Sequence, residues 1–155
     1  MSVIWLTNAS PTIEAVVNPL IAACDEGVIP EEIRMLSNPG LVETTKYLVP
    51  LLEDIVAAYD VSPTVTVHEL ESETQYRQIM SFYIDGISDA RAQSVSVAVN
   101  FTPGRKFMSA IAFQVGLQYE ADHVYYLHLQ SVDHGRCYPD IPRTNAELVD
   151  FAEMV

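Results

Sequence analysis

Short runs of β-forming residues alternate with stretches whose apolar residues recur at helical spacing, from one end of this chain to the other. Residues 2–7, 32–36, 63–70, 94–101 and 123–129 read as strands. Between them lie four helical stripes. Ile13, Val16, Val17, Leu20, Ile21 and Cys24 form the first. Leu41, Thr45, Leu48, Val49, Leu52, Ile55, Val56 and Tyr59 form the second. Tyr76, Ile79, Met80, Tyr83, Ile84 and Ile87 form the third, and Phe107, Met108, Ile111, Ala112, Val115 and Tyr119 the fourth. Such an order folds into an α/β domain with a Rossmann-like open sheet, mainly parallel, and helices on both faces. The run at 94–101 is nearly continuous in β-formers, as expected of a strand buried on both sides. Ser10 is expected to N-cap the first helix with Pro11 at its first position, and Ser72-Glu73-Thr74-Gln75 reads as a capping box for the third. Pro19 and Pro50 interrupt the first two stripes and predict kinks. Past residue 129, Asp133-His134-Gly135 predicts a tight turn into a short antiparallel strand at 136–138, and 145–154 a last helix.

The 155 residues suit one domain, 1–155. With 49% apolar and 19% charged residues the composition is that of a globular chain, and no apolar run is long enough for a membrane span. No signal peptide is read at the N-terminus. Cys24 and Cys137 are expected to be buried free thiols, which points to the cytoplasm. The net charge of −13, with Lys46 and Lys106 the only lysines, repels duplex DNA and RNA and is similar to the lysine-poor surfaces of salt-adapted proteins. An anionic ligand must therefore be met locally, by clustered cations or by backbone N–H groups.

In an open sheet of strand order 3-2-1-4-5, ligands bind beyond the carboxyl ends of the strands where the order reverses, between strands 1 and 4. Two turns flank that point. Asn100-Phe101-Thr102-Pro103-Gly104-Arg105-Lys106-Phe107-Met108 places a glycine at the strand–helix junction and two of the chain's eight cations at a helix N-terminus. Cations oppose the positive dipole end there, so their placement points to an anion. Thr7-Asn8-Ala9-Ser10-Pro11 adds hydroxyls, an amide and a second helix N-terminus. The phosphate-loop and dinucleotide fingerprints are both absent. Thr7-Asn8-Ala9-Ser10 also has some likeness to a flavodoxin-type phosphate loop, which leaves a flavin-binding module as an alternative. Asp122, His123, His128, Asp133 and His134 cluster without a familiar metal-ligand spacing and read as satisfied or exposed side chains. Thr44, Thr45 and Lys46 read as a solvated helix face.

The nonapeptide resembles the signature turn of CARF domains, the cyclic-oligoadenylate sensor fold of type III CRISPR systems, in which a strand runs into Thr-Gly-Gly-Thr-Lys-x-Met and a helix. Thr102, Gly104, Lys106 and Met108 match that pattern. Pro103 replaces the family's first glycine and removes an N–H, Arg105 replaces its second threonine, and Asn100 stands where an aspartate is common. The resemblance spans essentially the whole chain. It implies a ligand pocket formed by Thr7, Asn8, Ala9 and Ser10 with Thr102, Pro103, Gly104, Arg105, Lys106 and Met108. It also implies a homodimer that holds a ring of three to six adenylates, tetra-adenylate favoured, across its two-fold axis.

Only 26 residues follow residue 129, room for a hairpin and a helix but for no effector module, so the expectation is a stand-alone ring nuclease. The alternatives are a sensor or sponge and a regulatory subunit. A ring nuclease needs no metal and no cofactor, because a ribose 2′-OH attacks the adjacent phosphorus. Lys106 and Arg105 would stabilise the phosphate, and Asn8 or Ser10 would hold the 2′-OH. His128 and His134 are candidates for a general base by residue type alone.

Overall fold

The computed structural model describes residues 2–155. It contains β1 (Val3–Asn8), α1 (Ile13–Asp25), β2 (Glu32–Ser37), α2 (Val42–Ala57), β3 (Thr64–Glu69), α3 (Tyr76–Ala92), β4 (Ser96–Asn100), α4 (Lys106–Gln118), β5 (His123–Leu129) and β6 (Ala146–Asp150). The strands form one sheet of order β3-β2-β1-β4-β5-β6, parallel except for the β5–β6 pair. This is the expected Rossmann-like α/β architecture. No described helix is long and apolar enough to cross a membrane.

Alternation along the central strands divides the core in two. Trp5, Ile33, Met35 and Ala98 face α1 and α2, while Ile4, Leu6, Val97 and Val99 face α3 and α4. Val97, Ala98 and Val99 are all buried, as the continuous β-forming run of β4 requires.

The closing strand differs from expectation. Residues 136–138 do not pair with β5; residues 146–150, expected to be helical, do, in the register Tyr125↔Asp150 to Leu129↔Ala146. The reason lies in Asn18, buried in α1. Its Nδ2 donates to the Arg136 carbonyl at 2.8 Å and its Oδ1 accepts the Tyr138 N–H at 3.2 Å, so that backbone is satisfied away from the sheet. Leu148 of β6 packs against the Trp5 core. The Asp150 carboxylate accepts the N–H groups of Val124 and Ala152, ending the strand in one 3₁₀ turn, Phe151–Met154.

Helix starts also shift. The first residue of α1 is Ile13, with Thr12 as N-cap; Ser10 instead accepts the Thr12 N–H on its hydroxyl at 3.1 Å, so Ser10 and Pro11 stay in the turn. At α3 only half of the capping box forms: Gln75 Oε1 accepts the Ser72 N–H at 3.3 Å, while Ser72 Oγ accepts from Thr74 N. Pro19 and Pro50 lie inside helices that each remain one element. Cys24 is buried, and its thiol is pushed up to about 12 by burial, with Asp25 adding to the effect. Cys137, expected to be buried, is exposed, because the segment held by Asn18 runs over the surface.

Candidate functional site

The two turns meet as strand order demands. β1 and β4 run side by side to Thr7↔Asn100 and then release their chains to opposite faces of the sheet. Four buried side chains fix the turns to each other. Asn100 Nδ2 donates to Thr7 Oγ1 at 3.2 Å, and its Oδ1 accepts the Thr102 N–H at 3.2 Å. Asn8 Nδ2 donates to the Pro103 carbonyl at 3.2 Å, and Asn8 Oδ1 accepts the Tyr83 hydroxyl at 2.6 Å. Burial holds the Tyr83 phenol well above its usual pKa, so it remains a donor. Ser109 Oγ also donates to the Pro103 carbonyl, at 3.0 Å, and Thr102 Oγ1 accepts the Leu127 N–H at 3.1 Å. The network ties β1, α3, the β4–α4 turn and β5 into one rigid frame.

Gly104 stands at φ +105°, a region that disfavours side chains. A Cβ there would lie 2.8 Å from Asn8 Nδ2. The turn can close on β1 only because this residue is glycine.

The residues singled out from sequence divide by exposure. Thr7, Asn8 and Met108 are wholly buried. Asn8 is wholly buried and uses both ends of its amide inside the fold, so it positions the turns and presents no surface to a 2′-OH. Met108 packs in the core between α3 and α4 and offers no surface to a ligand. Pro103 is buried and contributes its carbonyl. Ala9, Ser10, Gly104 and Arg105 line a cleft of about 290 Å³, together with Pro11, Asn38, Pro39, Leu41 and Glu73. Arg105 is not a free cation: its guanidinium lies 3.1 Å from the Glu73 carboxylate. Lys106, the first residue of α4, is exposed and has no ion-pair partner among the described residues.

A second cleft, of about 640 Å³, opens toward β5 and is lined by Thr12, Glu14, Thr102, Tyr126, His128 and His134. The loops after β1 and β4 contribute to both clefts.

No three His, Cys, Asp or Glu side chains among the described residues are placed to hold a metal. Asp122 accepts from Val97 N at 2.9 Å, His123 Nδ1 meets Asp150 at 2.8 Å, and Asp133 accepts from the Asn145 amide at 2.9 Å. Thr45, expected on a solvated face, is instead buried, because it lies on the side of α2 that packs inward, and it bonds within its own helix; Lys46 pairs with Glu43. Sequence reasoning missed Tyr83 as the anchor of Asn8, Glu73 as the partner of Arg105, and Asn38. Each joins the site from a distant element, and no local pattern marks that meeting.

No protein-family model matches the sequence, and no curated protein matches it. Solved structures do. A type III CRISPR defence DNA nuclease activated by cyclic oligoadenylate is similar over 83% of this chain and 19% of its own, with TM-score 0.64 and 16% identity. Can2 from Sulfobacillus thermosulfidooxidans, in complex with cyclic tetra-adenylate, is similar over 84% of this chain and 33% of its own, with TM-score 0.54 and 17% identity. Enterococcus italicus Csm6, bound to cyclic hexa-2′-fluoro-hexa-dAMP, is similar over 84% and 34%, with TM-score 0.61 and 10% identity. At such identities the likeness is one of fold. The chain spans from about a fifth to about a third of the length of these proteins.

Proposed function

We propose that this chain is a CARF domain that binds a cyclic oligoadenylate at the β1 and β4 turns and cleaves it. The observation that carries the reading is Lys106. In a chain of net charge −13, one of only two lysines stands exposed and unpaired at the N-terminus of α4, where the helix dipole disfavours it. A phosphate there would satisfy the lysine, the dipole and the free N–H groups of the first helical turn together. The similar folds of proteins activated by, or bound to, cyclic oligoadenylates support the choice of ligand.

Cleavage asks for orientation and charge. The ribose 2′-oxygen attacks the neighbouring phosphorus, the new O2′–P bond forms, the P–O5′ bond breaks, and the 2′ proton is lost while O5′ gains one. The products are linear chains ending in a 2′,3′-cyclic phosphate. Lys106 faces the phosphate oxygens as charge builds on them, and the Ser10 hydroxyl, in the adjoining cleft, orients the 2′-OH. Arg105 assists once the ligand draws it from Glu73. Asn8 acts by holding the two turns in register.

A homodimer would present both turns twice to a ring with rotational symmetry. Tyr76, which meets Phe107 of α4 edge-on, and Met80, both exposed on α3, suit its interface. A sensor that does not cleave is the second reading. It is favoured by the place of the histidines, since His128 and His134 line the neighbouring cleft and neither lines the one that holds Ser10 and Arg105.

The test is incubation of the purified protein with cyclic tri-, tetra- and hexa-adenylate in EDTA, with products resolved. Linear products at full rate are expected. Lys106→Ala should lower the single-turnover rate more than it weakens binding, because charge on the phosphate is greater in the transition state. Loss of a charge-assisted contact weakens binding by about 1.5–3 kcal/mol. An intact ring that is tightly bound moves the chain to the sensor class, and no binding of any ring overturns the reading. A yellow purified protein would point instead to flavin.

A further inference from the structure

We infer that the open edge of β3 is a docking site for an extended peptide segment of another protein, one that alternates basic and apolar residues. β3 ends the sheet. Thr64 and Leu70 direct their N–H groups inward, to the Glu31 and Ser37 carbonyls at 3.0 and 2.9 Å. Backbone alternation then turns the N–H and C=O of Val65, Val67 and Glu69 away from β2, where no strand among the described residues meets them. Such an edge is a template for a further strand, and folded proteins blunt it with lysine, proline or a bulge. Thr64-Val65-Thr66-Val67-His68-Glu69 has no lysine and no proline, and its register with β2 runs unbroken from Glu32↔Thr64 to Ser37↔Glu69.

Charge decides what the edge takes. Along its α3 side runs a cleft of about 710 Å³, lined by Glu32, Arg34, His68, Phe82, Asp85 and Asp89. It shares no residue with the two clefts at the β1 and β4 turns. Arg34 is held by Glu32 at 2.5 Å and by Asp89 at 2.6 Å, and the exposed Asp85 pairs with no cation among the described residues. Three carboxylates (−3) against one guanidinium (+1) leave a formal charge of −2 there, with His68 neutral. A strand added at β3 places every second side chain beside Thr66 and His68, over that cleft. The others fall beside the half-buried Val65 and Val67 on the α2 side. Lysine or arginine suits the first row and an apolar residue the second. A second copy of this chain, at net charge −13 and with two lysines, brings the wrong charge.

The test uses capped peptides of three Lys-Val repeats, three Glu-Val repeats, and the Lys-Val peptide fully N-methylated, which keeps its charge but has no backbone N–H. Amide exchange in the full chain is followed by NMR. The Lys-Val peptide is expected to protect the Val65, Val67 and Glu69 amides, while those of Thr66 and His68, which point to β2, stay as they were. The Glu-Val peptide should bind at least about tenfold more weakly, and Asp85→Lys should weaken the Lys-Val peptide about fivefold. Equal binding of the N-methylated peptide means charge attraction alone and overturns the inference. Equal binding of the Glu-Val peptide, or no binding of the Lys-Val peptide, overturns it as well. Val67→Pro removes an outward N–H that β2 does not use. A dimer that Val67→Pro dissolves and Met80→Glu does not puts a second copy at β3, and that result also overturns the assignment.

Discussion

Replacing Gly104 by alanine should disrupt the site from its centre, and the size of the effect follows from two features. The first is backbone strain. At φ +105° a residue with a Cβ loses about 1–2 kcal/mol relative to glycine. The second is contact. The new Cβ would sit 2.8 Å from Asn8 Nδ2 and 3.1 Å from Asn8 Cβ. Asn8 cannot swing aside freely, since Tyr83 holds one end of its amide and the Pro103 carbonyl the other. Displacing it leaves at least one buried group unpaired, at about 1–3 kcal/mol. The sum is about 2–5 kcal/mol, which for a domain of this size lowers the melting temperature by roughly 4–20 °C.

Gly40 supplies the control. It too has positive φ, +86°, but a Cβ there meets nothing within 4 Å. Gly40→Ala should therefore show the backbone part alone, about 1–2 kcal/mol. Thermal melts followed by circular dichroism on the two variants isolate the contact with Asn8 as their difference. Equal falls for Gly104→Ala and Gly40→Ala would refute the claim that the β4 turn is pressed onto β1 through Asn8. Ligand affinity gives a second reading: it should fall in Gly104→Ala and hold in Gly40→Ala.

A thiol reagent at neutral pH should modify Cys137 in the native protein and reach Cys24 only after unfolding, with the two distinguished by mass after digestion; rapid native labelling of Cys24 would contradict its burial. The folded state raises the Cys24 thiol from 9.0 to about 12, so its contribution to stability is whole below about pH 9 and is lost as the pH rises toward 12. Denaturant midpoints measured across that window should fall, and a Cys24→Ala variant should fall less steeply. Light scattering at micromolar concentration should give the mass of a dimer, and Met80→Glu on the exposed face of α3 should shift it to a monomer; a monomeric wild type, with or without ligand, would remove the dimer from the proposal.

Local patterns carried most of the fold. Helical spacing and β-forming runs are properties of neighbouring residues, and the alternation of five strands with four helices leaves few topologies open. The order β3-β2-β1-β4-β5 and the meeting of the two turns were therefore legible, and so was the concentration of Gly104, Arg105 and Lys106 at one helix N-terminus. The last strand was not. Residues 146–150 have apolar positions that suit helix as well as strand, and the choice fell to an edge of β5 that needed covering and to Asn18, 118 residues from Arg136, which took the competing segment's hydrogen bonds.

The site shows the same division. Sequence by itself determined which turns lie at the switch point and which cations they bring there, because those follow from strand order and from residue type. Which of those side chains reach the surface was decided only by tertiary structure. Thr7, Asn8 and Met108 sit in or beside the two turns but are consumed by packing and by the Tyr83 bond, while Glu73 and Asn38 enter from the α3 approach and the β2 turn. Hydrogen-bond capacity and charge are balanced between elements far apart in the chain, so the state of an amide or a guanidinium is settled by whichever distant partner the fold brings within about 3 Å.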